Sequence, residues 1–482
     1  MSTELNKQKN SGHDVFDASG GETSIAMARN GGRCKKITIP ILCFVIATLL
    51  QSFWFIDRVG ALSIPDPDMH ALATYALATG QGWNPTTTET DHFGNQVRTQ
   101  RITGDSRYLY VEGRQGLLVD SAITASQSGD SAKQAQVLGS EHTAKTVTIP
   151  SLGHPNRSNQ YIPFLYIPQA VGLSVAMSLD LPAYQGWQLS RITNLLCYLI
   201  LFSCAIALAP RGRWFLVCLG SLPYSVFMAS SLMIDGIVTA ICALFVAAVM
   251  HFVLKNRSVS TFHVVGLAAL AFMVVCAKMV YFPIVAIALC IPNALLNVRK
   301  KCLFMILWIS LVLSVFLPWY THYSGTLALA NISGNIEYVI ANPLHVITLM
   351  ATTLLALPSS LPVMPMMQMA CSILICLGIM TLYRSDASRR VRAPWLSRYR
   401  YAVVGIVSVA ASVAMMLLFL ALTWNVLPSL EAEFLQGFQE RYLLPVIPVM
   451  LVCFTIRPGA PSQCESEHGV SIDSRSFLKV ER

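Results

Sequence analysis

Runs of about twenty apolar residues recur along this chain, and that repetition restricts the fold more than any motif does. Each run is long enough to cross roughly 30 Å of hydrocarbon as a helix. Of the 482 residues, 54% are hydrophobic and 12% charged, whereas soluble domains carry about 25% charged residues. The fold class this predicts is an all-α polytopic membrane protein. The net charge of +9 does not argue for nucleic acid, because the basic residues fall in short clusters between apolar runs, the positive-inside pattern.

The predicted spans are 38–56, 188–209, 214–231, 234–254, 264–280, 281–297, 302–320, 363–383, 401–423 and 442–457. Two more apolar stretches, 161–180 and 344–358, are ambiguous, and charge decides them. If 161–180 crossed the membrane, Arg211/Arg213, Lys255/Arg257 and Arg299/Lys300/Lys301 would all face outside. If it stays on the outer surface, all three face the cytosol. The same test on 344–358 keeps the arginine-rich segment Arg384–Arg400 inside only when that stretch does not cross. The simplest topology therefore has ten spans, both termini cytosolic, and two interfacial helices on the outer face. Pro163, Pro168, Pro343 and Pro358 suit broken, interfacial helices.

This topology divides the chain into a disordered cytosolic tail (1–37), a membrane domain (38–457) and a second disordered tail (458–482). The outer face carries a large first loop (57–187), a second loop (321–362) and a short one (425–440). Within the first, Arg107–Val111 and Gly116–Val119 are candidates for a small hairpin. Thirteen cysteines are present, but none lies between Ser52 and Asn194, so the large loop has no staples. Most sit inside apolar runs, where Cys behaves as a small hydrophobe.

Ionisable groups at the outer border are the best clue to chemistry in so apolar a chain. Pro65-Asp66-Pro67-Asp68-Met69-His70 follows the first span. His70, Ala73, Thr74 and Leu77 then keep helical spacing. Asp66 and Asp68 suit a general base or the ligands of a divalent cation such as Mg or Mn. The same residues also suit a solvated turn with Asp68 as helix N-cap. Asp235, after Ser230-Ser231-Leu232-Met233-Ile234, either faces a site or caps a helix. Lys278, near Tyr281 and Pro283, either snorkels or meets an anion such as lipid phosphate. Arg441 with Tyr442 offers a planar fork for phosphate or pairs with Glu440 or Glu433. Arg191 has the same two readings. His154, in His154-Pro155-Asn156-Arg157, is either structural or functional. There is no P-loop, G-x-S-x-G or H-E-x-x-H, and no span holds the charged chain of a proton relay.

These anchors resemble the bacterial membrane-protein family called domain of unknown function 2142, which is similar in architecture to the GT-C glycosyltransferases. Pro65-Asp66 with His70 and Tyr75 resembles its acidic region. Ser231 to Asp235 resembles its hairpin, and Lys278, Tyr281 and Pro283 its lysine-tyrosine step. Gly437, Gln439, Arg441, Tyr442, Pro445 and Pro448 resemble its C-terminal signature, the most specific of these. One departure is Pro67, where the family commonly has Glu; Asp68 follows one place later.

The resemblance implies a transferase using a polyprenyl-phosphate-linked sugar at the outer face of a bacterial cytoplasmic membrane, in surface polysaccharide or wall glycan assembly. Asp66, Asp68 and His70 would be catalytic. Arg441, Tyr442, Gln439, Lys278, Tyr281, Arg191, Asp235 and His154 would bind substrate. The partners would be a lipid-linked sugar donor, a hydroxyl acceptor and membrane lipids, with no organic cofactor. A flippase for lipid-linked glycan and a polysaccharide polymerase are the competing readings.

Overall fold

The computed structural model describes residues 19–59, 61, 67–100, 102–105, 146–149, 161–326, 330–356, 365–386, 395–427 and 433–455. These residues are mostly helical. Among the described residues five helices are long and apolar enough to cross a membrane, or six if the bent pair Ile332–Ala341 and Pro343–Ala356 is one span. The five lie in α1 (Ser19–Arg58), α4 (Ala183–Leu208), α7 (Asp235–Lys255), the segment Val298–His322, and α14 (Trp395–Thr423). Between α1 and α4 come α2 (Pro67–Ala78) and α3 (Ile167–Ser178). The segment Val298–His322 joins α9 (Val298–Leu311), a π-helical stretch Val312–Phe316 and α10 (Leu317–His322).

Most of the other expected spans are short or broken, and proline explains most of the breaks. Residues 214–231 form α5 (Arg213–Gly220) and α6 (Pro223–Ala229), parted where Pro223 starts a new helix. Residues 264–297 form α8 (Thr261–Ala277) and a 3-10 helix, Met279–Cys290, with Pro283 inside. The last segment opens as a 3-10 helix, Leu444–Val449, holding Pro445 and Pro448, before a short terminal helix, Met450–Thr455. A proline removes an amide donor and clashes with the preceding turn, so these stretches cannot run as regular α-helices. Residues 363–383 lie largely in the helix Pro365–Asp386. The first helix begins at Ser19, upstream of the expected start at 38, so part of the segment expected as a disordered tail is helical. A long apolar helix is a ready nucleus on which its flank can propagate.

Neither ambiguous stretch forms a long straight span. Residues 161–180 give a 3-10 turn, Pro163–Tyr166, and the twelve-residue α3. Residues 344–358 fall mostly in α12 (Pro343–Ala356), which meets α11 (Ile332–Ala341) at a bend of 104°.

The long helix α7 runs through the middle of the molecule. Its most apolar window is 78% buried, against 17% for Val298–His322, so α7 contacts protein and the latter faces outward. Its 21 residues separate its ends by about 30 Å, with Asp235 at the start and Lys255 at the finish. The basic residues gather at the Lys255 end. There Arg213 Nε donates to Ile206 O at 3.2 Å, Lys300 Nζ to Val259 O at 2.5 Å and Lys301 Nζ to Leu289 O at 2.8 Å.

Side-chain amides join the loops at the Asp235 end. The antiparallel hairpin β1 (Thr86–Thr90) and β2 (Gln96–Gln100) places Thr88 opposite Arg98. It docks on Thr321, Thr326 and Ala330: Arg98 Nη1 donates to Thr321 O at 2.7 Å, Arg98 N to Thr326 Oγ1 at 2.7 Å and Asn95 Nδ2 to Ala330 O at 2.9 Å. Asn335 Nδ2 donates to the carbonyls of Ala421, Leu422 and Asn425 at the end of α14. A second pair, β3 (Ile102–Asp105) with β4 (Thr146–Ile149), is also antiparallel. The hairpin expected over Arg107–Val119 lies outside the described residues, as does the second tail.

The contact of α3 with α4 requires Gly172. A β-carbon there would stand 2.5 Å from Thr193 Oγ1 and 2.6 Å from Leu189 O. Gly172→Val is expected to part the two helices and cost about 1–3 kcal/mol, as overpacking does. Thermal unfolding of the purified protein in detergent checks this; an unchanged midpoint would refute the close packing.

Candidate functional site

Three charged side chains meet where helices break. Asp235 is the first residue of α7, a position where the helix dipole favours an anion. Lys278 is the extended residue (φ −153°, ψ 121°) between α8 and the 3-10 helix Met279–Cys290. Arg441 lies in the 3-10 turn Glu440–Tyr442. Lys278 Nζ sits 2.7 Å from Asp235 Oδ1, and Arg441 Nε 3.8 Å from Asp235 Oδ2. Asp235 is 1% and Arg441 2% exposed. At such burial an unpaired charge is costly, so mutual neutralisation is what allows the cluster to exist.

Aromatic rings enclose the cations. Lys278 Nζ lies 4.3 Å from the Tyr442 ring centroid and 5.5 Å from that of Tyr161. Arg441 Cζ lies 5.3 Å from the Tyr442 centroid, and Arg441 Nη1 is 3.8 Å from Met233 Sδ. Faces of aromatic rings attract cations, more strongly where water is scarce. Tyr281 fixes this wall, its hydroxyl donating to Tyr442 O at 2.9 Å. Burial pushes the Tyr161 hydroxyl above its ordinary pKa, against the opposing pull of the Lys278 charge. Gly437, upstream, has φ +85° and lies against Trp424, where a β-carbon would stand 2.7 Å from Nε1. No other residue fits that turn without strain.

The turn that delivers Asp235 is held from α4. Arg191 and Asn194, three residues apart on one helical face, reach the same loop. Asn194 Nδ2 donates to the carbonyls of Ala229, Ser231 and Met233 at 2.9–3.2 Å. Arg191 Nε donates to Ser230 O at 2.7 Å, and its other nitrogens reach Val59 O, Phe55 O and Gln188 Oε1 at 2.9–3.0 Å. Its fork is therefore committed to tying the end of α1 to the Ser230 turn, rather than lining the cluster of Asp235, Lys278 and Arg441.

His70 enters from α2. Its Nδ1 is 3.0 Å from the Tyr166 hydroxyl, and both residues are buried. It lies within the electrostatic field of Asp235. Asp68 belongs to the backbone of α2. Asp66, His154 and the side chain of Asp68 lie outside the described residues. Gln439 is extended, and its carbonyl accepts from Tyr442 N at 3.0 Å.

The structure thus brings Asp235, Lys278, Arg441, Tyr442 and Tyr281 together, with His70 alongside. Sequence reasoning missed Tyr161, Tyr166, Met233 and Asn194. Tyrosines near a membrane border usually belong to the aromatic belt, and no local pattern separates these two from it. Asn194 offered a better signal, as an amide inside an apolar run and on the same helical face as Arg191.

The pattern of a family described as a predicted membrane protein, DUF2142, matches residues 48–450. The chain belongs to that family. No curated protein and no solved structure matches it.

The buried pair yields a test that separates charge from shape. Asp235→Leu alone takes the shared carboxylate from two buried cations and is expected to cost about 3–5 kcal/mol; Lys278→Met alone leaves Asp235 facing Arg441 and should cost less, and the double replacement, which removes one of the two cations, should recover part of the Asp235→Leu loss. Unfolding midpoints of the four proteins give the coupling; additive losses would mean that the two groups do not depend on each other.

Proposed function

We propose that this DUF2142 protein is an inverting, GT-C-type glycosyltransferase acting on a polyprenyl-phosphate-linked sugar at the outer face of a bacterial cytoplasmic membrane. The ten-span topology with cytosolic termini is part of the proposal. The observation that carries it is the buried assembly of Asp235, Lys278 and Arg441 beside α2, the helix that bears Asp68 and His70. Two cations held at membrane depth under an aromatic wall suit a lipid-linked phosphate. In the sequence, Asp66 directly precedes that helix.

In this scheme Asp66, with Asp68 as second candidate, takes the proton of the acceptor hydroxyl. The acceptor oxygen bonds to the anomeric carbon as the bond from that carbon to the phosphate oxygen breaks. The electron pair leaves with the phosphate, and Lys278 and Arg441 stabilise the charge that develops there. Asp235 orients both cations, and Tyr442 and Tyr281 fix their depth. His70, held by Tyr166, supports the base. Among the described residues no three His, Cys, Asp or Glu side chains form a metal-ligand set. Asp66 and Asp68 are the residues that would hold a divalent ion, and each step above uses only the protein's own groups.

Replacing Asp66 and Asp68 by Asn, separately and together, is expected to lower transfer of sugar to cell-surface glycan about 10²–10⁴-fold for the residue acting as base. Protein level in the membrane should be unchanged. Normal glycan at normal protein level would overturn the transferase reading. Intact lipid-linked oligosaccharide accumulating on the cytosolic side of a deletion strain would favour a flippase instead.

A further inference from the structure

A second cationic cluster lies at the opposite end of the molecule. The 3-10 helix that begins after Lys278 ends at Cys290, about 24 Å further on at 2 Å per residue. There Lys301, in the first turn of α9, donates to Leu289 O at 2.8 Å. Arg400, on α14, stands close enough to repel Lys301, and Cys290 lies within the field of both. Arg400 Cζ is 5.3 Å from the ring centroid of Tyr401. Tyr401 is 3% exposed, and neither its hydroxyl nor Arg400 Nε, both shielded from solvent, makes a well-formed hydrogen bond. Among the described residues, no acidic side chain pairs with Lys301 or Arg400.

Local rules are broken here in one direction. The first turn of α9 holds Arg299, Lys300 and Lys301 and no acid, although the dipole at a helix start disfavours cations. The positive-inside tendency accounts for charge at this end of the molecule. It does not account for a buried tyrosine hydroxyl left without a well-formed bond beside Arg400, a cation that in turn repels Lys301. One anion with several acceptor oxygens would answer all three: the repulsion, the helix start and the unmet donors.

We propose that Lys301, Arg400 and Tyr401 form a site for a phosphate-bearing anion, and that the phosphate is the headgroup of an anionic lipid. Apolar side chains around the cluster favour lipid over free phosphate. Leu289, Ile306, Val403 and Ile406 are exposed, on the 3-10 helix, α9 and α14. They offer acyl chains a surface leading away from the cations towards the middle of the bilayer. Basic pockets between spans are a recurrent way of binding such headgroups. The site is independent of the proposed transfer chemistry and lies at the other end of the molecule.

The test uses the purified full-length protein in detergent, titrated with phosphatidylglycerol, phosphatidylcholine or inorganic phosphate. Lipid retained is read by native mass spectrometry and stability by the unfolding midpoint. Wild type is expected to prefer phosphatidylglycerol and to be unmoved by inorganic phosphate. Lys301→Gln and Arg400→Gln should each weaken retention about fivefold. Arg211→Gln, a cation at the same end on the turn after α4, should not. Equal retention of the two lipids by wild type would overturn the proposal. So would an equal loss in Arg211→Gln, or a matching midpoint shift with inorganic phosphate alone. If the glutamine variants fail to fold, wild type still decides: the preference for phosphatidylglycerol should weaken severalfold at 1 M salt, and a salt-insensitive preference overturns the proposal.

Discussion

A broken helix in an apolar medium exposes carbonyls and amides that no water can satisfy, and each such group costs several kcal/mol if left alone. The architecture described here depends on how that cost is met. Arg191 and Asn194 bond carbonyls at the end of α1 and in the Ser230 turn. Asn335 does the same for the end of α14. Helices can therefore end inside the protein, and each ending is a place where a polar group tolerates burial. Asp235, Lys278 and Arg441 all occupy such endings. The cluster is a product of discontinuity.

Much of this was legible in the residues. The long spans around Ile46, Leu201, Phe245 and Leu418 follow from apolar runs, since no other element of that length buries its backbone in lipid. The pairing of 86–100 was not, because its alternation is polar on both faces and its register depends on docking to Thr321 and Ala330. Span count was harder than span existence. Pro223, Pro283, Pro445 and Pro448 sit inside apolar stretches, and hydropathy does not register the break that each makes.

The candidate site was legible in its charged members, because a buried charge within an apolar run is rare and stands out. Its tyrosines were not. Tyr161 and Tyr166 acquire their roles from rings and hydroxyls that meet residues more than ninety positions away, and no spacing encodes that. Arg191 shows the reverse case. Its charge and position suggested a ligand, whereas its planar fork of donors serves backbone carbonyls. The same chemistry that recognises phosphate also recognises a helix terminus.

The central helix α7 begins with Asp235 and ends with Lys255, in the order its dipole favours. A slide of one turn, 5.4 Å, would either draw the lysine into hydrocarbon or pull the carboxylate away from its two cations. The helix is thus pinned along its own axis like a bolt with a head at each end. Accommodation to bilayers of different thickness then falls to the outward-facing helices, while Asp235 keeps its distances to Lys278 and Arg441.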